Sequence, residues 1–147
     1  AVYLISHAFY AALAVLFYYL FRPVNRNLSW LAALVSLLGC ASDVANLFGL
    51  MSYKINSLVF FGPYCLLIGF LILRSTFLPR ILGVLMVLAG VGWLIFLTPY
   101  SHLLARYLMV LGFVAEMALM LWLLVRGVNA QRWKEQAGAA GKYVELS

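Results

Sequence analysis

Five apolar stretches, separated by short polar breaks, take up almost the whole chain. About 20 consecutive apolar residues are enough to cross a bilayer as a helix. The pattern therefore predicts five transmembrane helices, over about 1–21, 28–51, 57–73, 81–97 and 103–125. Pro23, within the run from Arg22 to Asn27, stops the first helix, because proline supplies no N–H and its ring blocks helix continuation. The second break runs from Ser52 to Asn56, the third from Arg74 to Arg80 and the fourth from Thr98 to His102. Gly62-Pro63, near the start of the third helix, marks either a kink or a proline in a first turn. The tail from Arg126 is polar and rich in Gly and Ala, and is expected to be exposed or frayed. The fold class is thus all-α, a polytopic transmembrane helix bundle forming one domain over 1–129, with a polar cytoplasmic tail over 130–147.

Composition sharpens this reading. Of the 147 residues 67% are hydrophobic and 10% are charged, against about 25% charged in a typical soluble domain. A mean hydropathy of +1.05 excludes a soluble enzyme, a disordered tail and a free-standing nucleic-acid binder. The net charge of +6 does not restore nucleic acid as a partner, because the basic residues sit where topology needs them. Arg22, Arg26, Arg74, Arg80, Arg126, Arg132, Lys134 and Lys142 fall on one side, and Lys54 and Arg106 on the other. The positive-inside rule makes the first side cytoplasmic, with Ala1 outside and the C-terminus inside. Tyr18, Tyr19, Trp30 and Trp122 near one interface, and Tyr53, Tyr64, Trp93, Tyr100 and Tyr107 near the other, form ordinary aromatic belts. Cys40 and Cys65 lie inside spans, match no metal or redox spacing, and read as free thiols. Ala1 falls directly in an apolar run without a secretory signal, so a processed or missing N-terminal segment is expected.

Two of the four acids lie within spans, and intramembrane charges are functional suspects by default. Glu116 sits roughly 20 Å along the fifth helix at 1.5 Å per residue, near mid-bilayer. It reads as an interhelical hydrogen-bonding group, with an ion-coupled role or a cofactor or lipid contact as alternatives. Asp43 lies in the outer part of the second helix, with Asn46 on the same face one turn later. His7 and Arg106 share that depth, so an outer polar cluster is expected, held by an Asp43–Arg106 ion pair or arranged as a small polar pocket. No cofactor is predicted. A single-His contact to a chlorophyll-type magnesium through His7 or His102 is the one pigment mode left open, and no metal site is expected. Ser6, Ser36 and Ser42 form no defensible nucleophile pair, so the protein reads as a non-enzyme. Small residues set packing seams: Ala8 with Ala12, Ala41 with Ala45, Ala45 with Gly49, Gly83 with Gly90, and Gly112 with Ala115.

Three segments carry a resemblance. They are Arg22-Pro23-Val24-Asn25-Arg26-Asn27-Leu28-Ser29, the stretch from Phe70 to Leu85 containing Arg74-Ser75-Thr76-Phe77-Leu78-Pro79-Arg80, and the stretch from Leu121 to Asn129 with Glu116 upstream. Together they resemble a bacterial integral-membrane family catalogued as domain of unknown function 4386, over about residues 1–129. The resemblance implies a six-helix fold, one helix more than this sequence shows, in a bacterial cytoplasmic membrane. It implies no activity and no catalytic residues. The function expected from the residues is a non-catalytic accessory or scaffold subunit packing against a larger membrane complex. The alternative is a small transporter or ion-coupled carrier using Glu116 and the outer cluster. Partners are then the lipid bilayer and either other membrane subunits or further copies of the chain.

Overall fold

The computed structural model describes residues 2–50, 56–99 and 101–145, the side chains of 2, 101, 102 and 142–145 excepted. The described residues form six helices and no strand: α1 (Val2–Phe21), α2 (Arg26–Leu47), α3 (Leu58–Arg74), α4 (Arg80–Ile95), α5 (Ser101–Val125) and α6 (Ala130–Glu145). Three of them, α1, α2 and α5, contain segments long and apolar enough to cross a membrane, whereas α3 and α4 are shorter apolar helices. The chain is a membrane-type helical bundle.

The helix ends follow from local chemistry. Asn25 caps α2, its side chain accepting from the Leu28 N–H at 3.1 Å. α2 stops at Leu47, earlier than the apolar run suggests, because Gly49 takes a positive φ of 65°. The Leu50 N–H then donates to the Ala45 carbonyl at 3.0 Å. Pro63 lies inside α3, just past its first turn, and leaves the Val59 carbonyl without its helical donor.

Neighbouring helices pack in chain order, α1 on α2, α2 on α3, α3 on α4 and α4 on α5. The closest pairing is α3 with α4, and glycine makes it possible. A Cβ on Gly69 would sit 2.8 Å from the Val87 nitrogen and 2.9 Å from the Gly83 carbonyl oxygen. One on Gly83 would meet the Gly69 carbonyl oxygen at 2.9 Å, and one on Gly90 the Leu66 nitrogen at 2.9 Å. The two backbones therefore touch, the close approach that small residues permit between membrane helices. The Gly83–Gly90 seam is thus used within the chain. The Trp93 ring lies against Gly112 in the same way and joins α4 to α5. Ala8 and Ala12, by contrast, lie on the exposed face of α1.

The core runs along α3, where Cys65, Ile68, Leu71 and Ile72 are fully buried, and reaches Met86, Ala89, Ala115 and Leu119 on α4 and α5. At the basic end it includes the third link. Phe77 and Leu78 are buried, and the Phe77 ring packs on Phe21 at 6.0 Å. The Ser75 hydroxyl donates to the Ile72 carbonyl at 2.8 Å.

The tail is not frayed. It forms α6, whose Trp133, Gln136, Ala137 and Ala140 recur on one half-buried face. The Trp133 indole donates to the Leu20 carbonyl at 2.9 Å. Gln136 accepts from the Thr76 N–H and hydroxyl, both at 3.1 Å, and donates to the Arg74 carbonyl at 3.4 Å. α6 therefore ties the end of α1 to the link between α3 and α4.

Candidate functional site

At the end of the bundle opposite these basic links, α1 begins, α2 ends and α3 begins. Their ends enclose a cavity of about 310 Å³, within the usual range for small-molecule sites of about 300–1,000 Å³. Each helix supplies a stripe at helical spacing. α1 gives Ser6, His7 and Tyr10, α2 gives Ser36, Gly39, Cys40 and Asp43, and α3 gives Phe60, Phe61 and Tyr64. Ser57 and Leu58 complete the rim. Gly39 matters sterically, since its bare backbone lies against Phe60, whose Cβ would be 3.2 Å from any added Cβ.

The polar pair in this wall differs from the one expected. Asp43 Oδ2 lies 3.3 Å from His7 Nε2, and the two side chains are 27% and 18% exposed. His7 Nδ1 faces the Tyr3 carbonyl oxygen at 2.9 Å. A carbonyl only accepts, so Nδ1 carries a proton and Nε2 shares the proton of the Asp43 contact. Both ring nitrogens thus have contacts within the chain. Arg106 does not join Asp43. It is exposed on α5, and α5 packs on α4, two helices away from the wall that holds Asp43. Asn46 is half-buried one turn beyond Asp43, outside the lining residues. The side chain of His102, and Lys54 and Tyr100, lie outside the described residues.

Ser36 is the least satisfied group in the wall. Its residue is only 5% exposed, and its Oγ is buried with no hydrogen-bond partner. Serines in apolar helices usually donate to a carbonyl one turn back, as Ser42 does to Leu38 at 2.8 Å. Ser36 does not, so its hydroxyl remains unpaired at the inner end of the cavity.

Aromatic rings form the opposite wall. Tyr10, Phe61 and Tyr64 make a triangle with centroid separations of 5.9, 6.3 and 6.2 Å. Trp93 stands edge-on to Phe61 at 5.6 Å and carries the wall toward α4. Glu116 sits behind this wall rather than in the cavity. It is half-buried on α5, and its carboxyl lies within electrostatic range of Tyr10, Tyr64 and Cys65. The Trp93 indole N–H approaches that carboxyl but falls short of hydrogen-bond geometry. Of the five polar residues singled out in the sequence, the structure brings His7 and Asp43 together in the cavity. It places Glu116 behind the wall and Arg106 away from it.

Tyr10, Ser36, Phe60, Phe61 and Tyr64 were not singled out as site residues. One signal was present: Ser36, Cys40 and Asp43 recur at four- and three-residue intervals and mark one polar face of α2. The aromatic wall had no such signal, because aromatic residues at helical spacing look like ordinary core. Among the described residues no group of three or more His, Cys, Asp or Glu could hold a metal ion.

An uncharacterized protein of Archaeoglobus fulgidus is 31% identical over 128 residues, covering 78% of this chain and 74% of the relative. No solved structure matches the chain. The profile of the family described as Domain of unknown function (DUF4386) matches residues 52–127, from just before α3 to the end of α5. With that match over half of the chain, and a relative of similar length at this identity, the chain belongs to that family.

Proposed function

We propose that this protein is a non-catalytic, membrane-embedded small-molecule binding protein of the carrier type, with the cavity between α1, α2 and α3 as its site. The observation that carries this reading is Ser36, a nine-tenths buried hydroxyl without a partner on the wall of a ligand-sized cavity. An unpaired buried hydroxyl costs about 1–3 kcal/mol, and a ligand acceptor would recover it. The accessory-subunit reading draws less support, because the strongest small-residue seam is already used between α3 and α4. In this proposal Glu116 braces the wall behind the site. The basic end, including Arg74, Arg80, Arg126 and Arg132, faces the cytoplasm by the positive-inside rule, and the cavity opens on the outer side of a cytoplasmic membrane.

The test is Ser36→Leu. Leucine removes the unpaired hydroxyl and narrows the inner end of the cavity, so the variant should unfold at least as late as the parent. It should also lose the thermal shifts that a panel of small polar and cationic compounds gives the parent in lipid nanodiscs. A parent that responds to no compound and purifies with stoichiometric partner subunits would overturn the proposal in favour of the accessory role.

A further inference from the structure

We infer that the cavity takes an organic ammonium ion carrying a hydrogen-bond acceptor, with Asp43 as its counter-ion and the Tyr10–Phe61–Tyr64 wall as its cation–π surface. This rests on the cavity being a ligand site at all, and goes further by naming the ligand's chemistry. Three observations converge. Asp43 is the acid among the lining residues, and the basic residues at the two ends of α1–α2 and α3–α4 links lie at the far end of the bundle. The wall also carries four aromatic rings, from Tyr10, Phe60, Phe61 and Tyr64. Ring faces attract cations electrostatically, and most strongly where water is excluded. An anionic ligand would be repelled by Asp43, and a neutral one would gain nothing from its charge.

Asp43 meets His7 at 3.3 Å, a long contact for a charge-assisted bond. An ammonium group that reaches Asp43 replaces this contact, while His7 keeps its Nδ1 bond to the Tyr3 carbonyl at 2.9 Å. At the inner end Ser36 supplies a donor. Asp43 and Ser36 are seven residues apart on α2, about 10 Å along a helix. Allowing about 3 Å of contact at each end leaves roughly 4–5 Å between the ligand's cationic and accepting atoms. A compact ammonium ester has that reach.

The direct test uses the purified full chain in phosphatidylglycerol nanodiscs, titrated with acetylcholine and with its uncharged carbon isostere, 3,3-dimethylbutyl acetate. Tryptophan emission reads the binding, because Trp93 is one ring from the cavity. Acetylcholine should bind at least about tenfold more tightly than the isostere. Asp43→Asn should erase that preference, and Phe60→Leu, which removes one ring at a half-buried position, should weaken the cation selectively should Asp43→Asn fail to fold. Equal binding of both compounds, lost together in Ser36→Leu, would overturn the charge inference and leave the pocket standing. No binding of either compound and no effect of Ser36→Leu on any compound would remove the pocket reading itself. The same titration in phosphatidylcholine nanodiscs separates the ligand's source: competition assigns the ammonium to a lipid headgroup, and unchanged affinity assigns it to a free cation.

Discussion

Replacing Gly69 by alanine tests the packing that holds the bundle together. The new Cβ would sit 2.8 Å from the Val87 nitrogen and 2.9 Å from the Gly83 carbonyl oxygen. Both are backbone atoms on a packed helix, so neither can swing aside. Ordinary contact lies about 0.5–1 Å farther out, so α3 and α4 must part by that much. Overpacking of a tight site costs about 1–3 kcal/mol, and two backbone clashes put Gly69 at the upper end. Alanine returns up to about 1 kcal/mol through its helix propensity, leaving a net loss of about 2 kcal/mol. Gly83→Ala meets the Gly69 carbonyl oxygen at 2.9 Å, and the separation that relieves one clash relieves the other. The double variant should therefore lose clearly less than the two singles together, the signature of coupled sites. The assay is reversible unfolding in bicelles, with Gly138→Ala as control, since nothing lies within 4 Å of that position and alanine there should be neutral or mildly stabilising. Additive losses, or a Gly69→Ala that unfolds like the parent, would refute the reasoning.

Four further outcomes follow from the same geometry. His7→Phe and Asp43→Asn should be coupled by about 0.5–3 kcal/mol in a double-mutant cycle, whereas Arg106→Gln should show no coupling to Asp43 in the same unfolding assay. A small cationic methanethiosulfonate should modify Cys40, which lines the cavity, and spare Cys65, which is fully buried; mass spectrometry of the labelled chain reads both. Glu116→Gln should keep the fold and lose no more than about 1 kcal/mol, because the amide preserves shape and hydrogen-bonding capacity, and a large loss would show a charge that the bundle depends on. Trp133→Ala removes the bond to the Leu20 carbonyl and should raise amide exchange across α6 while α3 and α4 stay protected.

The five apolar helices were legible because each apolar run had to satisfy its own backbone, and Pro23 marked the end of the first; α1, α2 and α5 are the three long enough to cross a membrane, and the turn at Gly49 that ends α2 was not read. The close approach of α3 and α4 was half legible. Gly83 and Gly90 recur two turns apart, but nothing in the sequence says that their partners are Gly69 and Leu66 rather than another chain. α6 was missed because a run such as Gly138-Ala139-Ala140-Gly141 has weak helix propensity. Its order comes from Trp133 and Gln136 reaching the Leu20 and Thr76 backbones, which are distant in sequence. The outer cluster shows the same division. Depth could be counted along each helix, so His7, Asp43 and Arg106 were placed at one level. Azimuth could not, and the packing order decides that His7 meets Asp43 while Arg106 stands elsewhere.

Among the five apolar helices, α3 and α4 in the middle of the bundle are the shortest. α3 has 17 residues and α4 has 16, beside 20 in α1, 22 in α2 and 25 in α5. At 1.5 Å per residue the central pair spans about 25 Å, against a hydrocarbon thickness of about 30 Å. A bilayer meets such a mismatch by thinning. In the proposed function, headgroups and water would dip toward the mouth of the cavity where α3 starts, and a polar solute would cross less hydrocarbon to reach Asp43. In a thicker membrane that dimple would cost more to maintain, and bilayer thickness would itself control access to the proposed site.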